Sequence, residues 1–367
     1  MVSSPGYAAC DELPCRSRGD LFSQSRRRVS AYDAGMTNSN RPEPGVDLGA
    51  LTDLQTPWCI HVVATLGIAQ RIADGTTRCT ALAAAAGCDA YALQCVLGHL
   101  VTRGVFDEPS PGEFALNGAA RQLLEQSRFL DLASIGGRFA GAWATLPAYV
   151  RTGRSAYHEV FGAPFWDDLA AHPAIGAEFD ALMGIAGHGV PDPAFEIAGG
   201  WDAIRTVVDV GGGTGAMLAE LLRARPAIRG TLVDLPGTVG RAPATFAAAG
   251  VTERVAICGQ SFFDPLPAGA DLYLLRKVLN DWPDAETVAI LRRCAEAARP
   301  GGRVVIMGGV VPEGARQRLT IEMMLVGGRS NTVDEFRSLV REAGLEVVAA
   351  ARQASGFVVE CRPASAE

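Results

Sequence analysis

The segment Val207-Val208-Asp209-Val210-Gly211-Gly212-Gly213-Thr214-Gly215 constrains this chain more than any other. It reads as a buried strand that ends beside an acid and runs into a glycine turn. A helical stretch follows from Ala216 to Arg223, then a second apolar strand, Gly230 to Asp234. Strand, glycine turn, helix, strand and acid make the frame of a nucleoside-cofactor crevice in an α/β sheet. Further strands are predicted at Thr206–Val210, Val255–Cys258, Asp271–Leu275, Arg303–Met307, Leu345–Ala350 and Gly356–Cys361, with helices at Glu286–Ala298 and Thr332–Glu342. Strands alternating with helices predict a mostly parallel sheet, closed by a C-terminal hairpin.

The part before this domain is different. Residues 1–45 are polar and rich in Ser, Arg, Gly and Pro, and are expected to be a disordered or loosely attached tail. Residues 46–190 read as helical, and 191–363 as the cofactor domain. Leu54, Trp58, Val62, Leu66 and Ile72 fall near helical spacing over 54–72. Helices over Thr80–Gly87 and Ala90–Arg103 precede two short strands, Gly104–Phe106 and Glu113–Leu116, on either side of the turn Pro109–Gly112. Helix, turn, helix and two-stranded wing outline a winged helix. The helix in the recognition position has no Arg or Lys before Arg103, so it offers no phosphate anchor. The net charge of −7 also argues against nucleic acid. No apolar run approaches a membrane span, and no secretory signal is visible. The nine cysteines contain no CxxC pair, so buried thiols in a reducing cytoplasm are expected, with no metal.

The glycine loop alone leaves the cofactor open. Gly211, Gly213 and Ala216 fit a dinucleotide fingerprint, and Asp234 could hold the ribose of either cofactor. Asp209 favours S-adenosylmethionine, because a carboxylate at the strand end attracts an ammonium group and repels a pyrophosphate. A loop-capping role for Asp209 is the alternative. The two oxygens of Asp234 suit vicinal ribose hydroxyls. Ser261 and Phe262, after the third strand, face the same crevice as an adenine partner and an apolar wall. Arg276 and Trp282 follow the fourth strand. Trp282 either packs on adenine or closes the core.

Asp209–Gly215, Asp234-Leu235-Pro236, Ser261-Phe262-Phe263, Val278-Leu279-Asn280-Asp281-Trp282, Arg299–Arg303 and Gly327–Thr332 occur in an order that resembles the S-adenosylmethionine-dependent small-molecule O-methyltransferases. The resemblance spans roughly residues 50–362. It implies a winged-helix dimerisation domain, a Rossmann-like cofactor domain that also contacts the cofactor through Leu235, a homodimer, and S-adenosylhomocysteine as product. The aromatic stretch 139–183 would wall a substrate cavity, with Trp143, Met183, His188 and Met324 as candidate contacts for a small hydrophobic aromatic acceptor.

Many members of this family carry a catalytic His-Asp-Trp triplet supported by two glutamates. By the motif pattern those three positions hold Asn280, Gly308 and Ser330 here. An amide cannot act as a general base near neutral pH. Asn280 and Asp281 are the candidate catalytic residues, and His188 the candidate substitute base. Methyl transfer without a strong base remains feasible. Alignment and desolvation contribute about 7–11 kcal/mol, against roughly 3–5 kcal/mol for a base. The alternative is a relative that keeps S-adenosylmethionine but performs hydroxylation, decarboxylation or cyclisation.

Overall fold

The computed structural model describes residues 46–183, 191–298, 301–316 and 319–364. The expected tail 1–45, the domain boundary near 190 and His188 lie outside them. The chain forms two compact units that divide after Gln55. In the first, helix α1 (Leu48–Leu51) is capped by Asp47, whose side chain accepts from the Ala50 amide at 3.1 Å.

The second unit, Thr56–Glu367, carries the rest. It opens with α2, which spans Gln55–Thr65 and so starts on the last residue of the first unit, followed by α3 (Ile68–Ala73), α4 (Cys79–Ala86) and α5 (Ala90–Thr102). The single helix expected over 54–72 is two helices, because Gly67 takes φ +62° and caps α3 from the left-handed region. A second glycine, Gly87 at φ +68°, ends α4, and Asp89 caps α5 by accepting from the Ala92 amide at 2.8 Å. β1 (Phe106–Ser110) and β2 (Glu113–Leu116) pair antiparallel, so the strand extends into the residues expected as a turn. Leu82, Leu97, Leu100, Phe106 and Phe114 fill the core of this winged-helix arrangement, which α6 (Gly118–Leu130) completes.

The aromatic stretch folds into α7 (Ile135–Ala142), α8 (Leu146–Thr152), α9 (Tyr157–Phe161), α10 (Phe165–Ala171) and α11 (Pro173–Met183). Tyr157, Phe165 and Phe179 are buried at its centre. Within it Asp168, only 3% exposed, accepts from Arg138 Nε at 2.7 Å and from the Tyr157 hydroxyl at 2.7 Å. That pairing makes the buried carboxylate tolerable.

The cofactor domain is a seven-stranded sheet in the order β10-β11-β7-β6-β3-β4-β5. Its strands are β3 (Thr206–Val210), β4 (Arg229–Asp234), β5 (Val255–Gly259), β6 (Leu272–Arg276), β7 (Arg303–Met307), β10 (Leu345–Gln353) and β11 (Gly356–Pro363). β3 to β7 run parallel, and β11 joins β7 antiparallel as the expected hairpin closes. Both faces are covered, as a parallel sheet requires. Along β7, Val304 and Ile306 enter one core, and Val305 and Met307 the other. Helices α12 (Ala216–Ala224) and α14 (Ala242–Ala248) cover the second face. Helices α15 (Asp284–Ala297) and α17 (Val333–Glu342) cover the first.

Two short elements, β8 (Val310–Val311) and β9 (Asn331–Thr332), pair parallel outside this sheet. They were not predicted, since two residues carry no periodicity. The remaining helices are α13 (Pro236–Val239) and α16 (Ile321–Leu325). No single helix among the described residues is long and apolar enough to cross a membrane.

Candidate active site

The strand order fixes where a ligand can sit. From β3 the chain moves outward to β4 and β5, then returns to β6 on the other side of β3. The crevice beyond the carboxyl end of β3 is therefore the switch point of the sheet. The glycine loop occupies that end. Gly211 has φ +68°, and a Cβ there would stand 2.7 Å from Val278 Cγ2. A Cβ on Gly212 would stand 2.5 Å from Asp209 Oδ2. At Gly211 and Gly212 the loop thus lies so close to the acid and to Val278 that a side chain has no room.

Asp209 is 1% exposed, and neither of its oxygens has a hydrogen-bond partner among the described residues. Burial pushes its pKa up to about 7, and the Asp234 carboxylate adds to the rise. The Arg276 guanidinium opposes it, as does the Leu218 amide, which lies near the carboxylate without the geometry of a hydrogen bond. The expected alternative, a cap on the loop amides, is not what the side chain does. A buried acceptor without donors is costly. It suits a ligand that brings a cation or N–H donors, and it repels a pyrophosphate.

Asp234 ends β4 as expected. Its Oδ2 accepts from the Gly213 amide at 2.8 Å and its Oδ1 from the Leu235 amide at 2.7 Å. Each oxygen keeps a lone pair for a further donor. Burial raises its pKa against those two amides, and Asp180 adds to the rise. Leu235, 51% exposed, stands beside it as an uncovered apolar side chain. Across the crevice the Ser261 Oγ accepts from the Phe263 amide at 3.2 Å. Phe262 lies 3.4 Å from the position of a Gly211 Cβ. Trp282 is ringed by Phe262, Phe263 and Trp166, at centroid distances of 5.8, 5.0 and 5.5 Å.

The β6 loop carries the remaining candidates. Lys277 follows Arg276 with φ +56°, a conformation that non-glycine residues seldom adopt. Its amide donates to the Met307 carbonyl at 2.6 Å. One turn later the Asn280 Nδ2 donates to Asp281 Oδ1 at 2.6 Å. The Asn280 Oδ1 is buried and has no partner among the described residues. Burial pushes the Asp281 pKa up to about 8, with Lys277 opposing. Gly308 lies against this amide, since a Cβ on it would stand 3.3 Å from Asn280 Oδ1. The Asn280 carbonyl accepts from the Arg329 amide at 3.1 Å, which brings buried Ser330 to the same corner. The β8–β9 pairing is what draws the two segments together.

The substrate candidates divide. Met183 packs against the aromatic cluster, as does Met323 in place of its neighbour Met324. Trp143 stands outside that cluster and is 42% exposed. Trp166, which was not singled out from sequence, bridges the cluster and the β6 loop. It stacks on Trp282 at 17° between planes, and its Nε1 has no partner among the described residues.

A model of the O-methyltransferase domain matches residues 143–346. This chain belongs to the O-methyltransferase family. It is 40% identical to the 2,7-dihydroxy-5-methyl-1-naphthoate 7-O-methyltransferase of Streptomyces carzinostaticus, over 83% of this chain and 94% of that protein. It is 36% identical to the aclacinomycin 10-hydroxylase of Streptomyces purpurascens, over 80% of this chain and 82% of that one. Among solved structures it resembles an O-methyltransferase from neocarzinostatin biosynthesis, in complex with S-adenosylmethionine and 2-hydroxy-5-methyl naphthoic acid. The TM-score is 0.72 and the identity 38%, over 87% of this chain and 99% of that one.

Proposed function

We propose that this protein is an S-adenosylmethionine-dependent O-methyltransferase that acts on a hydroxyl of a small aromatic or polyketide-type natural product. The orphaned carboxylate of Asp209 carries the cofactor assignment. It fits the cationic amino group of S-adenosylmethionine, while Asp234 fits the ribose diol. Leu235 and Phe262 supply apolar surface for adenine, Ser261 a polar contact to it, and Arg276 offsets the charge of Asp209. Trp282 closes the wall behind them. The methyltransferase relatives of natural-product biosynthesis support the same reaction.

When bound, the sulfonium supplies an electrophilic methyl group. The chain's own residues then need only orient the acceptor oxygen and exclude water. Asp281 Oδ1 accepts from the Asn280 amide nitrogen, so the amide oxygen is left to accept the substrate hydroxyl hydrogen. Asn280 thus aligns the hydroxyl without removing its proton. The aromatic cluster, with Met183 and Met323, provides the apolar wall for a flat ring. The test is methyl-labelled S-adenosylmethionine with a panel of hydroxynaphthoates, hydroxyphenazines and anthracyclines. Label in the product is expected. A product of changed mass without label would instead assign the chemistry of the hydroxylase relative, and cofactor binding without any product would refute catalysis.

Asn280→Ala is expected to lower kcat by about 10–100-fold with cofactor affinity unchanged, below the usual cost of a lost proton-transfer group. Steady-state kinetics and calorimetry check this, and complete inactivation with intact binding would assign Asn280 a larger role.

We also infer a cytoplasmic homodimer. All described cysteines are free thiols, which suits a reducing compartment. α5 presents no cation for nucleic acid, and Tyr91 on it is 80% exposed. Trp58, 47% exposed, lies against His61, whose Nδ1 donates to the Leu130 carbonyl at 2.7 Å, and the neighbouring Phe129 is also 47% exposed. That uncovered aromatic surface fits a second copy. Trp58→Glu is expected to shift the species seen by light scattering from dimer toward monomer, and an unchanged mass would place the interface elsewhere.

A further inference from the structure

The helix pair α10–α11 reaches both loops that flank the glycine loop. On the β6 side, Trp166 of α10 stacks on Trp282. On the β4 side, Asp180 of α11 forms an ion pair with Arg241 and accepts from the Thr238 hydroxyl at 3.4 Å. Arg241 and Thr238 belong to the segment that continues directly from Asp234 and Leu235 through α13. Since β3 lies between β4 and β6, the two contacts bracket the end of β3 where the cofactor sits.

The contacts differ in kind. The tryptophan stack is continuous with Phe262, Phe263 and Phe179, so it is part of a packed core. The ion pair is a partly exposed tie, with side chains 31% and 44% exposed for Asp180 and Arg241. A pair of that exposure adds little to global stability. It joins two segments 61 residues apart at the ribose side of the crevice. Asp180 is also close enough to Asp234 to act on it electrostatically.

We propose that Asp180 and Arg241 form a clasp that retains the cofactor, as positioning residues that tie α11 to the ribose-binding loop. Cofactor exchange then requires this ion pair to open. The chemistry at Asn280 does not involve it. The proposal rests on the crevice binding S-adenosylmethionine and its demethylated product.

The experiment follows S-adenosylhomocysteine dissociation by stopped-flow tryptophan fluorescence, on full-length wild-type protein, Asp180→Asn, Arg241→Gln and the exchanged pair Asp180→Arg with Arg241→Asp. Each single variant is expected to release ligand about fivefold faster, with the ligand-free melting temperature within about 2 °C of wild type. The exchanged pair is expected to return to within about twofold of the wild-type rate. Single variants that release at the wild-type rate, or an exchanged pair that melts normally but stays fast, would overturn the clasp. Absence of S-adenosylhomocysteine binding by the wild type would overturn the cofactor assignment itself, a separate result.

Discussion

Asp209→Asn is expected to make the ligand-free protein more stable and the cofactor complex much weaker. The carboxylate is fully buried, and its pKa is pushed up to about 7. From an ordinary value near 4, that is a rise of about three pH units, or on the order of 4 kcal/mol. The sign follows from proton binding. Between about pH 4 and pH 7 the folded protein holds a proton that the unfolded chain has lost, so stability falls as pH rises through this window. Above pH 7 the full penalty applies. An amide carries no charge to bury, so at pH 8 the melting temperature of Asp209→Asn should rise by about 5 °C, and its dependence on pH between 4 and 7 should flatten. Affinity for S-adenosylmethionine should drop by about 100-fold or more, because the ammonium group loses its counter-charge in a site shielded from water. Scanning fluorimetry across pH and calorimetry with the cofactor measure the two arms. A variant that melts lower than wild type, or binds equally well, would refute this role for Asp209.

Asp234→Ala should weaken S-adenosylmethionine and S-adenosylhomocysteine alike. Two charge-assisted hydrogen bonds to a ribose diol contribute about 1.5–3 kcal/mol each, so the loss should reach roughly 100-fold or more. The two ligands share the ribose, so their ratio of affinities should barely change. The same variant removes the negative neighbour of Asp209, whose pKa should move down. It also leaves the Gly213 and Leu235 amides without their acceptor. Calorimetry with both ligands is the check. Selective loss of S-adenosylmethionine alone would point to the sulfonium as the group Asp234 recognises.

The parts that were legible in sequence share one property: their signal is local. β3 announces itself because an apolar run meets an acid and four glycines within nine residues. The capping of α17 by Thr332, with Glu335 reciprocating, matches the helix start read at that residue. Motif order pairs Asn280 with Gly308, and in the structure a Cβ on Gly308 would stand 3.3 Å from Asn280 Oδ1.

What escaped was set by tertiary position. Leu54 to Ile72 keep helical spacing across a break, because Gly67 is compatible with either reading until its φ is known. Arg138 and Asp168 look like ordinary surface charges, since nothing in the sequence pairs residues 30 apart. Asp180 with Arg241, and Trp166 with Trp282, bring together segments that the sequence separates by a full element or more.

Gly308 limits what can be built at this corner. It stands against Asn280, at φ +100°, in a conformation that L side chains rarely adopt, and a Cβ there would press within 3.2 Å of the Lys277 backbone. Placing a histidine at 280 takes one substitution, but an acid to support it has no seat at 308. An imidazole placed alone would be an unsupported base, and a glutamate placed alone would strain its own backbone. Neither step is rewarded without the other. Changes to the chemistry of this site are therefore made more readily in how the acceptor is held than by installing a proton relay.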